Sequence, residues 1–209
     1  MMEREFDRQI KNLLEKEYPK LAGIDEDEFI KIIEPLRKHV VQMPDSKVDL
    51  ENGFLPFVIV VNGLIEPEKE MSAVKRNGVA GVTILRPHSS KEFKTINDEV
   101  IPESTAYLLI GIDRGKATIN LPPKEAMEII RSEKRHPLTI EEGVAIVTQC
   151  PDFLVKNNCF SLLASRTGSD QRVPAIWINA KKEPNLGWCW NGNPHTWLGS
   201  ASCSARIGY

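Results

Sequence analysis

The longest apolar run in the chain is Phe54 to Val61, and it contains Pro56. Eight residues suit one pass of buried β-strand and fall far short of the roughly 18 needed to cross a bilayer. Pro56 has no N–H to give a ladder, so it belongs at a sheet edge or a strand start. VAGVTILR (79–86) and TAYLLIGID (105–113) follow as further strands, and VPAIWIN (173–179) and LGWCW (186–190) come last. Arg114–Gly115 reads as a turn, with KATIN (116–120) expected to pair back as a hairpin.

Helical patterning surrounds these strands. Phe6, Ile10, Leu13 and Leu14 recur at helical spacing, and the helix is expected to end at Tyr18, because the residue before Pro19 avoids helical geometry. Asp25 caps a second helix with the face Phe29, Ile32, Ile33 and Leu36, which Pro35 ends or kinks near Glu34. Pro122–Pro123 precede a short helix (124–131). Thr139 with Glu142 three residues on opens another, which Pro151 stops. PDFLVKNNCFSLLAS adds one helical turn and a segment that pattern alone leaves open between strand and helix. Strands and helices do not alternate strictly. The expectation is therefore α+β: a mixed β-sheet with packed helices and an N-terminal helical hairpin. As domains this is one unit, 1–209, with the hairpin (1–40) packed on an α+β body (50–209).

A chain of 209 residues hides roughly 70% of its unfolded surface, enough for a core without disulfide or metal. A net charge of −2 and a pI near 6.1 argue against a nucleic-acid partner, which calls for a basic stripe. The basic clusters Arg131 to His136 and Lys181–Lys182 are flanked by Glu133 and Glu183 and read as solvated surface. The N-terminus has no apolar core stretch or small-residue cleavage site, so no secretory signal is expected. Four scattered cysteines, Cys150, Cys159, Cys189 and Cys203, suit reduced thiols in a cytoplasmic protein with no membrane partner.

The run from Trp177 to Tyr209 asks for a different explanation. It holds Trp177, Trp188, Trp190 and Trp197 with Cys189, His195 and Cys203 around the turn signal NGNP. In a strand, Trp188 and Trp190 point to one face and Cys189 to the other. Four readings stand side by side. The indoles are ordinary core, with Asn193 and His195 partnering their N–H groups. Or they wall a small-molecule pocket of Trp188, Trp190, Asn193, His195 and Trp197, with Asn191, Thr196, Ser200 and Ser202 as polar groups and Arg166 or Arg172 for an anion. A third reading is nucleophilic catalysis by Cys189 or Cys203 with His195 as base and Gly199–Ser200 as oxyanion donors, although no cysteine-hydrolase signature surrounds either thiol. The last is a metal site from Cys189, His195 and Cys203, whose gaps of five and seven residues do not suit structural zinc; no metal is expected. LRPHSS (85–90) places Arg86 and His88 at a strand end, and Asp113–Arg114 reads as a turn pair. Phosphate-loop, dinucleotide, zinc-protease, calcium-loop and serine-hydrolase signatures are absent from the sequence.

The segments FDRQI, EYPKLAG, RHPLTIEEG, FSLLASR and RVPAIWI, and above all LGWCWNGNPHTWLGSASC, resemble an uncharacterised bacterial family, a domain of unknown function. The resemblance covers nearly the whole chain. It implies a single domain and a bacterial cytoplasmic origin, and brings no activity, cofactor or catalytic residue. Function thus rests on the residues: a small-molecule-binding or enzymatic domain with an aromatic pocket near the C-terminus, its cofactor unknown. The rival is a non-enzymatic interaction module or homodimer, because tryptophan is enriched at interface hot spots.

Overall fold

In a computed structural model, which describes residues 1–168 and 170–209, the Phe54–Val61 run forms a strand at the edge of an antiparallel sheet. Its neighbour is Ala106–Asp113, which also pairs with Ser202–Cys203 and Ala205–Ile207, and His136–Pro137 closes the far side. The edge position is the one Pro56 requires. Phe57, Ile59 and Val61 face one core with Ala106 and Leu108, whereas Leu55, Val58 and Val60 face another with Tyr107, Leu109 and Ile112. Leu55 and Phe57 thus lie on opposite faces despite their even spacing. The slip falls at Pro56 and at Gly111 on the neighbouring strand. Gly111 has φ 58°, and a Cβ there would sit 2.5 Å from Ser204 Oγ, so glycine is required on both counts.

Four helical segments, Met2–Glu15, Tyr18–Ala22, Glu26–Ile33 and Arg37–Val41, cover the first face. The first ends at Glu15, earlier than Pro19 suggests, because Glu17 turns left-handed at φ 57° and Pro19 falls in the first turn of the next segment. Asp25 caps the third as expected, accepting from Glu28 N at 2.7 Å. Pro35 lies in a 3-10 turn, Glu34–Leu36. Gln9 on the first helix is buried and aims its amide at the sheet edge. Ile59 N donates to Gln9 Oε1 at 2.8 Å, and Gln9 Nε2 donates to Phe57 O at 3.1 Å. One side chain thereby takes two of the hydrogen bonds that an added strand would make.

The opposite face packs on the helix Ile140–Gln149, which opens with the expected capping box: Glu142 N donates to Thr139 Oγ1, and Thr139 N to Glu142 Oε2. The same core joins a second, mixed sheet in the order Leu198–Ser200, Cys159–Ser161, Arg172–Ile178, Pro184–Trp190, Val82–Thr83, whose two outer pairings are parallel. The fold is α+β with a mixed sheet and packed helices. Fully buried Ala201 carries the chain from one sheet to the other. No described helix is long and apolar enough to cross a membrane.

Two expected strands differ. Residues 116–118 form a 3-10 turn, because Gly115 is left-handed and Thr118 Oγ1 donates back to its carbonyl at 2.9 Å. VAGVTILR is split into Val79–Ala80 and Val82–Thr83, which belong to different sheets. At the break, a Cβ on Gly81 would lie 2.3 Å from Met71 O, so the chain passes too close to the helix Pro67–Ala73 to continue one ladder.

Candidate functional site

The hairpin Arg172–Ile178/Pro184–Trp190 decides which tail side chains meet. Arg172 pairs with Trp190 and Pro174 with Trp188, so strand alternation sets Arg172, Trp188 and Trp190 on one face and Cys189 on the other. The two indoles meet edge to face, with centroids 5.1 Å apart and planes at 71°. The Arg172 guanidinium carbon stands 4.4 Å from the Trp188 ring centroid and 4.8 Å from that of Trp190. Contacts of this kind contribute about 0.5–1 kcal/mol each at the surface. Trp188 Nε1 donates to Arg86 O at 2.9 Å, which fixes that ring, while Trp190 stays 41% exposed.

A row of charged groups extends this shelf. Arg172 Nη1 bonds Asp170 Oδ2, which lies 3.0 Å from His88 Nε2, and His88 Nδ1 lies 2.8 Å from Glu92 Oε2. Glu92 is held by a capping box with Ser89, and Phe93 meets the imidazole edge-on at 5.8 Å. Hydrogen bonds to Glu92 and then to Asp170 raise the His88 pKa above the ordinary histidine value. Arg172 Nε and Asn191 Oδ1 are buried here without a partner among the described residues. Unpartnered polar atoms are costly inside a protein.

His195 and Trp197 form a separate group with Trp177. Trp177 and Trp197 lie 5.9 Å apart at 62°, and His195 stacks on Trp197 at 5.3 Å. The Trp177 ring crosses Gly187, where a Cβ would come within 2.2 Å of its Cη2 atom. Burial lowers the His195 pKa, its Nε2 has no partner among the described residues, and its carbonyl accepts from Asn120 N at 3.0 Å. Asn193 is exposed at the turn, its N–H on Trp190 O at 3.1 Å.

Arg166 and the thiols occupy a third setting. Arg166 Nη1 donates to Ser165 O at 2.9 Å, and burial brings its pKa down to about 10. Cys189 Sγ lies 3.6 Å from Ser161 Oγ, and burial raises its pKa. Cys203 is fully buried, with a pKa pushed up to about 12. Neither thiol is hydrogen-bonded to His195 among the described residues. Ser200 N is engaged by Thr118 Oγ1 at 2.8 Å. The structure therefore brings together Trp188, Trp190, Arg172 and His88, and separately His195 and Trp197, with Arg166 beside Cys189. Among the described residues no three His, Cys, Asp or Glu side chains are grouped to hold a metal ion.

Sequence reasoning missed Asp170 and Glu92, although the Ser89-x-x-Glu92 spacing is a capping-box signal. It also missed a buried charge cluster. Arg206 grips both Glu142 oxygens, reaches Glu99 Oε2 at 2.8 Å and Pro137 O at 2.7 Å, and Tyr107 OH donates to Glu142 Oε1 at 2.9 Å. Nothing local in the sequence links residues so far apart. Arg114, expected to shape a turn, is instead buried, donating to Phe153 O and Leu50 O, while Asp113 Oδ1 makes the turn by accepting from Gly115 N.

A family model matches residues 12–209, which include every element of this site. The chain belongs to a family of unknown function, DUF5701. That span agrees with the resemblance carried by the tail motif. Searches of curated proteins and of solved structures found no match. Family membership therefore adds no reaction, and the site is left to its own chemistry.

Proposed function

We propose that this chain is a single-domain, cytoplasmic bacterial protein that binds a small ring-bearing polar ligand on the Trp188–Trp190–Arg172 shelf. The observation that carries the reading is the solvent-open face of Trp190, 41% exposed, beside an arginine stacked on both indoles and a row of hydrogen-bonding groups ending in His88 and Glu92. A flat apolar ring face stacks on such an indole, and polar substituents on its rim reach Asp170 or Glu92. Sugars and nucleosides both have that shape. The second group around His195 and Trp197 supports the turn from behind.

Tryptophan fluorescence titrated with panels of monosaccharides and nucleosides tests this. A ligand that quenches the wild type and loses affinity in both Trp190→Ala and Arg172→Met is the expected result. Trp190 is on the surface, so its variant still folds, with Tm lowered by only a few degrees for the lost ring and guanidinium contacts. If no member of either panel separates wild type from the variants, the shelf is not a ligand site. An exposed tryptophan is also what an interface hot spot uses. Should Trp190→Ala turn a sedimenting dimer into a monomer with no ligand found, the homodimeric reading replaces this one.

A further inference from the structure

On the far side of the second sheet, three turns meet around an open cleft of about 610 Å³. One is the turn between the paired strands Lys75–Arg76 and Val79–Ala80, where Asn77 and Gly78 are both left-handed. The second is the bridge from Val155 to Asn158, with left-handed Asn157 at its tip. The third joins the long strands of the mixed sheet and holds Lys182 left-handed at φ 65°. Side chains rarely adopt that conformation away from glycine and asparagine. The turns bring Arg76, Lys156 and Lys182 to the cleft wall, with Asn77 beside them and Val79, Ile178 and Ala180 as its apolar part.

The charge balance of the cleft is one-sided in a chain whose net charge is −2. Among the described residues no carboxylate lines it. Exposed Asp152 lies 3.8 Å from Arg76 Nε, and Glu183 accepts from Asn179 Nδ2 at 2.7 Å. Arg76 is oriented by Nε donating to Leu154 O at 3.1 Å, which leaves its terminal nitrogens without a partner among the described residues. Neither Lys156 nor Lys182 is in a salt bridge among those residues. Asn158 Oδ1, in the same turn as Lys156, is buried and unpartnered. A planar guanidinium held by one edge, two exposed ammonium groups and a small apolar floor suit a ligand with two or more negative charges on a compact body. A cleft of this size accommodates such a metabolite.

We infer that this cleft, lined by Arg76, Lys156 and Lys182, is a binding site for a compact polyanion of the phosphate-ester or polycarboxylate class. It is separate from the tryptophan shelf and stands whether or not that shelf binds a ring.

The test is titration of the full chain with pyrophosphate and, in parallel, citrate, followed by amide NMR and calorimetry at low salt. Amides of Asn77, Lys156, Ala180 and Lys182 shift together in a saturable way, and added salt weakens binding. Lys156→Ala and Lys182→Asn, the latter chosen because asparagine tolerates the left-handed turn, each weaken it about threefold, and the pair about tenfold. Lys181→Ala removes a neighbouring charge outside the lining and leaves affinity within about twofold. Stronger pyrophosphate binding assigns the phosphate class, and stronger citrate binding the polycarboxylate class. Absence of saturable shifts with both anions overturns the site. So does a paired variant that binds like wild type, or a Lys181→Ala loss equal to that of Lys182→Asn.

Discussion

Replacing Arg206 with methionine keeps an apolar stem about as far as Nε and removes the charge from a place where water barely reaches. The Arg206 side chain is 4% exposed, that of Glu142 0% and that of Glu99 6%. In the variant Glu142 is left in the interior without its cation, Glu99 keeps only His136 at 3.1 Å, and Pro137 O loses its donor. Removing one partner of a buried pair costs about 3–5 kcal/mol, because the remaining charge is left uncompensated. Against a total stability of about 5–15 kcal/mol for a domain, that is a large fraction. For a chain of this size it lowers Tm by roughly 6–20 °C, at about 2–4 °C per kcal/mol. Glu142→Gln keeps a side-chain oxygen for the Thr139 N–H, so the cap survives while the charge goes. Urea denaturation of both single variants and the double variant, followed by circular dichroism, closes a thermodynamic cycle. The double variant is expected to be more stable than the summed singles imply, by about 1–3 kcal/mol, since the two groups share hydrogen bonds. A loss below about 1 kcal/mol for Arg206→Met, or strict additivity, would refute the account of a desolvated, mutually dependent pair.

Two further outcomes follow from titrating groups. His88 and His195 should titrate on opposite sides of the ordinary value near about 6.5 in histidine NMR spectra, His88 above and His195 below. The charge-linked His88 contribution to stability is then present in full below the unfolded pKa and disappears as pH rises through its raised folded-state pKa, so His88→Gln weakens the protein more at acidic than at alkaline pH. The half-buried His195 acts in the other direction: stability falls as pH drops below the unfolded value, because the unfolded chain takes up that proton more readily. Equal titration of the two rings would contradict the geometry. Among the cysteines, half-buried Cys150 should react first with iodoacetamide, and Cys203, with a pKa near 12, last. Rapid alkylation of Cys189 below pH 8 would instead revive a thiolate–imidazole pair with His195.

Local chemistry was readable where one short segment makes its own decision. Thr139 and Glu142 announce a capping box, Asp25 caps as its spacing suggests, and Pro56 sits on an edge strand because it must. The alternation of Trp188, Cys189 and Trp190 also came through: the indoles share a face with Arg172 and the thiol lies opposite. What stayed hidden depends on distant partners. His195 reads in sequence as one wall with Trp188, Trp190 and Trp197; its ring packs on Trp197, and Trp188 and Trp190 pair apart from it. His88, about a hundred residues upstream, is the imidazole that joins the shelf through Asp170. KATIN has the composition of a strand, and only the left-handed Gly115 with the Thr118 hydroxyl bends it into a turn. Residues 205 to 207 gave no strand signal of their own, and they form one because the neighbouring Ala106–Asp113 strand has a side to offer.

The amide of Gln9 has a consequence for assembly. An outer strand with vacant donors and acceptors is an invitation to any extended peptide, including a second copy of the same chain. Here the helix that covers the apolar side of that strand also plugs its rim, so the two protections cannot be lifted separately. A partner that tried to extend the sheet would have to peel the first helix away and strip Phe57 and Ile59 bare in the same movement. Association through the middle of this border is thereby disfavoured.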